Sequence, residues 1–486
     1  MKLKWMSALI ASTLCACSLD PAYQRPAAPV DNGWPTGDAY RSSTTQNAAQ
    51  GATQNNPANA QAPLAADMGW RDFFRDARLQ RLIELALENN RDLRVAALDV
   101  EEYEAQYRIA RANLGPAIEA SGSLTRERSA GVISSSSSVS VGMSSWEIDF
   151  FGRLRSLKRQ ALEQYLSTDA ARTSTQLSLV ATVATDYLQL LADEASLEIS
   201  QRTVDADQQT FELTLKMMDR GSSSIQDVQQ ARTTLASARS DLAAYTRAVA
   251  QDRNNLVAAI GCPLPDDLPP RTTLMQSQSM LADIGEGVPS DLLTRRPDIV
   301  EAEHTLKAAN ANIGAARAAF FPKIELTATA GTSSTGLSGL FKAGSGAWAF
   351  APTISVPIFE WGYNQATLDV ANVEKKIEIA NYEQAIQTAF KEVANALAGR
   401  STYVAQTAAD REYVTAAQEY YDTAQARYQR GTDSFLTLLD AQRSLYTAQQ
   451  QLVTDTMSQL SNLITLYKVL GGGWSETSVP AQAAVN

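Results

Sequence analysis

Among 486 residues there is one histidine, His304, and there are three cysteines, Cys15, Cys17 and Cys262. Covalent and metal-assisted catalysis need a nucleophile with its base, or several ligands, at short fixed spacings. The chain has no CxxC, no HExxH and no glycine-rich phosphate loop. A lone histidine in a helix-forming stretch is a structural residue. No catalytic residue, metal site or cofactor is therefore assigned, and the chain is not expected to be an enzyme. The net charge of −11, with no Lys/Arg-rich run, gives no electrostatic reason to expect nucleic acid as a partner.

Chemistry of another kind is written at the N-terminus. Lys2 and Lys4 precede a short apolar stretch, Trp5 to Ala16, that is too short to span a bilayer as a mature helix. It ends in Leu14-Cys15-Ala16-Cys17, which looks like a bacterial lipoprotein signal. Residues 1–16 would be removed and Cys17 acylated as the new N-terminus. An ordinary secretory signal with incidental cysteines is the alternative. Ser18, rather than Asp, after the cysteine resembles outer-membrane sorting. The mature chain would keep Cys262 as its only free thiol, so no intrachain disulfide is expected. Residues 17–68 then read as a tether, with Pro21, Pro26, Pro29 and Pro35 followed by the Ala/Gln/Asn/Ser/Thr-rich run Ser42 to Ala66. Such a stretch has too little apolar surface to fold alone.

The elements that follow come in two copies. Ala110-Arg111-Ala112 before Pro116 returns as Ala316-Arg317-Ala318 before Pro322, and Arg220-Gly221 returns as Arg430-Gly431, in each case roughly 210 residues further on. Repeat 1 is taken as residues 69–270 and repeat 2 as 290–473, with 271–289 as linker and 474–486 as tail. Each should hold a helix of about 30 to 40 residues, an irregular stretch, a very long helix, a tight turn and a returning helix. The long helices, Arg153 to Arg220 and Tyr363 to Arg430, contain no proline and one glycine between them, Gly399. At roughly 68 residues, each would reach on the order of 100 Å. Apolar residues recur at spacings of three and four, as in Val414, Ala417, Tyr421, Ala424 and Tyr428, the seam of a helix packed lengthwise on others. Gly221 and Gly431 should close them, and Ser224 and Ser434 should cap the returning helices Ile225 to Ile260 and Phe435 to Leu470.

The irregular stretches change period. Ile324, Leu326, Ala328 and Ala330 alternate with Glu325, Thr327 and Thr329, and Trp348, Phe350, Ile354, Val356 and Ile358 share one parity. In the first repeat, Val139, Val141 and Met143 alternate with Ser138, Ser140 and Gly142, and the parity then slips to Trp146, Ile148 and Phe150, which suggests a bulge or a strand end. Ile118 to Arg126 is the weakest strand candidate. Hairpins at about 117–150 and 323–359 are expected, with loops at Ala130 to Ser137 and Gly331 to Gly346. Alternation alone fits a soluble hairpin with one wet face as well as an outer-membrane strand pair.

Three observations favour the membrane: the N-terminus looks outer-membrane directed, no mature helix is apolar enough to span, and strands occur only as two hairpins. Non-helical backbone crosses hydrocarbon only as a closed barrel. Four strands cannot close, since the smallest barrels use about eight. Several chains must therefore contribute to one barrel, and three would leave a passage.

Read in order, several motifs resemble the outer-membrane efflux protein family, the OprM-like and TolC-like channels, and within it the lipoprotein branch. They are Cys17-Ser18-Leu19 with Tyr23-Gln24-Arg25-Pro26, Gly69-Trp70 with Phe73-Phe74, Arg295-Arg296-Pro297-Asp298-Ile299, Phe321-Pro322, Leu438 to Arg443, and Leu466-Tyr467-Lys468 with Leu470 to Trp474. The resemblance covers essentially the whole mature chain. It implies a mainly α protein with membrane β structure: a homotrimer whose long α-helical barrel continues into a twelve-stranded β-barrel, four strands per chain, in outer-membrane lipid. It also implies a function, the exit channel of a tripartite drug efflux pump, docked to a periplasmic adaptor (membrane fusion) protein and an inner-membrane RND-type transporter. The Arg220-Gly221 and Arg430-Gly431 turns would then be adaptor docking tips. Val414, Gln418 and Tyr421, on one helix face, would form a periplasmic gate where such channels narrow through an apolar and an acidic ring. Gln418 stands at the second ring and removes its expected charge. The alternatives are an outlet for type I protein secretion or metal-ion efflux, and a soluble periplasmic coiled-coil scaffold, which would need no strands.

Overall fold

Glycine and proline mark the element ends. The computed structural model describes residues 19–31, 33–40, 64–285 and 289–478. Cys17, the signal segment 1–16 and most of the Ser42 to Ala66 run lie outside the described residues. The elements are α1 Trp70–Phe73, α2 Ala77–Asn89, α3 Arg91–Ala112, β1 Glu119–Ser129, β2 Val132–Glu147, α4 Arg153–Asp219 and α5 Ile225–Ile260. A second set follows: α6 Pro289–Arg295, α7 Pro297–Ala318, β3 Lys323–Ser334, β4 Gly346–Ser355, α8 Tyr363–Gln429 and α9 Phe435–Val469. The expected duplication is therefore present, and α4 and α8 run 67 residues each.

Two expectations are corrected. The first helix of each repeat is not one continuous rod. Asn90 breaks the first, its Oδ1 accepting from the Leu93 N–H at 2.9 Å and its amide donating to the Ala259 carbonyl at 2.8 Å. Arg296 breaks the second because Pro297 follows, with no N–H to give and a ring that excludes helical geometry before it. The loops are also shorter than expected. Ala130 and Gly131, both at positive φ, make a two-residue turn, and the serines from Ser134 to Ser137 belong to β2. The bulge is real: the β2–β3 register shifts between Met143 and Trp146, and Ser145 takes φ 50.

The chain divides into two compact units. In the first (residues up to Pro29, Ala97–Ala171 and Asp298–Ala385), Ile313, Ala316 and Ala371 are buried together, with Leu368 against them. The irregular N-terminal stretch is fastened here by charge. Arg25 grips both oxygens of Glu303, at 3.1 and 2.6 Å, Lys307 adds a contact at 3.2 Å, and Arg159 holds Asp20 at 2.5 Å. The second unit (Val30–Ala96, Arg172–Pro297 and Ile386 onward) has the aromatic core. Phe73 stacks on Tyr467 with ring centroids 3.9 Å apart, and the Tyr467 hydroxyl donates to the Met68 carbonyl at 2.7 Å. Phe74 packs edge-on against both rings, and Trp70, Leu79, Ile83 and Tyr187 are also buried in this unit.

The two repeats have diverged in burial. α7 buries eleven residues, whereas α3 buries none and leaves Val95, Leu98 and Ile109 exposed.

Candidate functional site: a two-faced sheet and two glycine turns

The four strands form one antiparallel sheet in the order β1-β2-β3-β4. Its register sorts the side chains by parity, because successive residues of a strand point to opposite faces. Ala120, Gly122 and Leu124 of β1 lie level with Val141, Val139 and Ser137 of β2. Val141 pairs with Ala330, which pairs with Trp348, and Met143 with Ala328, which pairs with Phe350. Leu326, Ile324, Pro352 and Ile354 continue this apolar face. Its aromatic groups are bare, with Trp348 80% and Phe350 62% exposed. The opposite face is polar: Ser121 bonds Ser140 at 3.1 Å and Ser123 bonds Ser138 at 2.8 Å. Among the described residues, β1 and β4 each have one neighbouring strand and one open edge.

Charge fixes the sheet to its helices. Arg153, the first residue of α4, makes two bonds to the Glu147 carboxylate at 2.9 and 2.7 Å, and Lys323 lies 3.6 Å from the same group. Asp149 accepts from the backbone N–H groups of Leu154 and Arg155 at 3.2 and 2.9 Å. A carboxylate at the first turn of a helix satisfies otherwise orphaned donors.

In the second unit, the Arg-Gly turns are built as their sequence implies. Gly221 and Gly431 sit at φ 74 and 73. Ser222 N–H donates to the Met217 carbonyl at 2.8 Å and Thr432 N–H to Arg427 at 3.0 Å, the six-residue closure of a helix end in the left-handed conformation. Ser224 and Asp227 cap α5 reciprocally, at 3.1 and 3.0 Å, and the Ser224 N–H holds the Asp227 carboxyl below the usual range. Ser434 caps α9 through Thr437 N–H at 3.3 Å, with Arg427 paired to Asp433 at 2.6 Å. Behind the turns, Ala231, Tyr428, Phe435, Leu438 and Leu439 are packed together. Arg220, Gly221, Arg430 and Gly431 are all exposed.

Of the three gate candidates, Tyr421 is half-buried against that same cluster, and its hydroxyl accepts from Gln425 at 3.1 Å. Val414 is half-buried, and Gln418, also half-buried, donates to Asp422 at 2.9 Å. One turn before Val414 lies the carboxylate of Asp410. Burial and the neighbouring Asp455 raise the pKa of Asp410, while Gln406 and Gln451 hold Asp455 at 2.7 and 2.6 Å. Asp207 is a second such group. It is 3% exposed, receives one amide bond from Gln442, and burial pushes its pKa up to about 6. His304 binds Glu163 at 2.7 Å in the first unit and faces no metal cluster among the described residues.

Comparison with known proteins agrees with this geometry. The family model described as outer membrane efflux protein matches residues 82–262 and 288–472, one segment in each repeat. The antibiotic efflux pump outer membrane protein ArpC of Pseudomonas putida is 48% identical over 98% of this chain and 97% of its own. The toluene efflux pump outer membrane protein TtgC, also of Pseudomonas putida, is similar to the same extent, 48% over 98% and 97%. Among solved structures, the open-state MtrE outer membrane channel of Neisseria gonorrhoeae superposes with a TM-score of 0.83 at 38% identity, covering 96% of this chain and 100% of that one.

Proposed function

The chain belongs to the outer membrane efflux protein family, and from that premise we propose that it is the exit duct of a tripartite drug efflux pump. Three copies close a barrel of twelve strands, four from each chain. The long helices extend it into the periplasm, where a periplasmic adaptor and an inner-membrane transporter of the RND type dock. The observation that carries this reading is the sheet, which has one bare apolar face, one serine-lined face and two open edges. Such an object has no stable place in water, where the exposed aromatics would associate. It has none in lipid as a single chain, because the edge groups would go unpaired. Closed on two further copies, it becomes a wall with a wet interior.

Passage is passive, and energy would come from the transporter. Cys17, acylated, adds an anchor beside the barrel, and the Arg-Gly turns meet the adaptor. Relatives named for antibiotic and toluene efflux support small, largely apolar cargo. The test combines a strain lacking the gene, assayed for antibiotic and toluene tolerance, with purified protein in planar bilayers. Restored tolerance and trimers that conduct once opened are expected. A monomeric protein that never conducts would overturn the reading.

A further inference from the structure

The charged residues of the four strands are not shared evenly between the faces. Glu119, Glu127, Glu147, Lys323 and Glu325 have the parity of the polar face. Arg126 and Arg128 do not. The register sets Arg126 opposite Ser135 and Arg128 opposite Ile133, on the same face as Ala120, Gly122 and Leu124. They stand next to the Ala130-Gly131 turn, at the end of β1 away from α3. Both are exposed, and neither side chain has an ion-pair or hydrogen-bond partner among the described residues. The carboxylate between them in sequence, Glu127, faces the other way and accepts from Ser134 Oγ at 3.4 Å.

We propose that Arg126 and Arg128 form a binding site for the phosphate of an outer-leaflet lipid headgroup. This rests on the channel reading, which makes the apolar face lipid-facing and turns the β1–β2 end outward. A guanidinium on the lipid face of a barrel is tolerated at the rim and costly at mid-membrane, so its place is at headgroup depth. Two residues apart on a strand, the Cα atoms lie about 7 Å from each other on one side. Two guanidiniums so spaced offer forked donors to phosphate oxygens. Within the chain, the serine and isoleucine opposite them leave the charge uncompensated among the described residues. The apolar surface below, through Leu124, Val139 and Val141, would take the acyl chains of the same molecule. The ligand class is thus an amphiphile carrying phosphate, such as the phosphorylated glycolipid lipid A.

The experiment uses full-length trimers in detergent, with lipid adducts counted by native mass spectrometry. The probes are lipid A with its phosphates, the same lipid dephosphorylated, and inorganic phosphate as competitor. Wild type should hold the phosphorylated lipid, and R126Q/R128Q should lose it by about ten-fold or more, as expected for two charge-assisted contacts. R126K/R128K should fall between them, and E127Q, on the other face, should match wild type. Equal adducts in wild type and R126Q/R128Q, or equal uptake of the dephosphorylated lipid, would overturn the inference. So would displacement by millimolar inorganic phosphate, which would mean an ion site and not a lipid site. Each sample is also placed in planar bilayers. Conducting trimers without selective adducts refute the lipid site alone, whereas wild type that forms no conducting trimer refutes the channel reading and this inference with it.

Discussion

Replacing Gly221 and Gly431 separates a plain helix cap from a docking tip. Both glycines face open space: among the described residues, a Cβ added at either would meet no atom within 4 Å. Substitution therefore brings no clash, and its cost is the backbone alone. At φ 74 and 73, an ordinary L-residue is strained by about 1–2 kcal/mol, and asparagine by less. The closing bonds to Met217 and Arg427 use only main-chain atoms, so they survive. Against a typical stability of about 5–15 kcal/mol, valine at either turn should lower the melting temperature by a few degrees and leave trimers intact. Asparagine should do less. If a partner closes over the turn, both side chains project into its space, and both should abolish drug resistance in cells. The assay pairs antibiotic susceptibility with the yield of trimer from outer membranes. Wild-type resistance in both variants would refute docking. Loss with valine but not asparagine would also refute it, because function would then follow backbone strain and not surface bulk.

Asp207 should make stability fall as pH rises. Its folded pKa, about 6, lies above the unfolded value near 4, so the folded state binds the extra proton. Stability from this group is full below pH 4 and is lost between pH 4 and 6. Asp207→Asn should recover about 2–3 kcal/mol above pH 6 and flatten the curve, read by thermal melting at pH 4 and 8; equal melting at both pH values in wild type would refute it. A Cβ at Gly331 would run into the Val139 carbonyl and Ser140 Cα of β2. Gly331→Ala should therefore cost about 3 kcal/mol or more and reduce trimer recovered from membranes; normal recovery would show that β2 and β3 can part cheaply. Val414→Ala with Gln418→Ala should raise the conductance of the closed trimer in planar bilayers, and an unchanged conductance would move the gate elsewhere. Cys17→Ser behind a cleavable signal should still deliver outer-membrane trimers, because a barrel inserts without the acyl chains; complete loss from membranes would refute that.

The helices were legible because their rules are local. Sixty-seven helix-forming residues without proline have one regular solution, and Gly221, Gly431, Ser224 and Ser434 each act within a few residues of themselves. β1 was hard to see for a reason that became informative. Arg126 and Arg128 occupy apolar-face positions, so the alternation that identifies a strand is broken by the residues with a separate role. Ser134 to Ser137 read as a loop because serine has little preference for strands, yet pairing with β1 and β3 holds them in the ladder. The proposed gate was least legible. Asp410 and Asp455 are 45 positions apart in the numbering of the chain, so nothing local announces their pairing, and a constriction on an axis depends on copies that one sequence does not depict.

The two open edges of the sheet have a genetic consequence. In hydrocarbon, β1 and β4 can satisfy their outer amides and carbonyls only on other copies, so a chain with one damaged edge still offers a sound one. It will be recruited, and it will prevent closure of the ring it joins. In a cell making normal and edge-damaged chains in equal amounts, random recruitment would leave roughly one three-chain ring in eight wholly normal. An edge lesion is therefore dominant over the intact gene, whereas a lesion that stops the chain before β1 is recessive. The dose of the normal allele needed to restore export would rise far more steeply for the first kind than for the second.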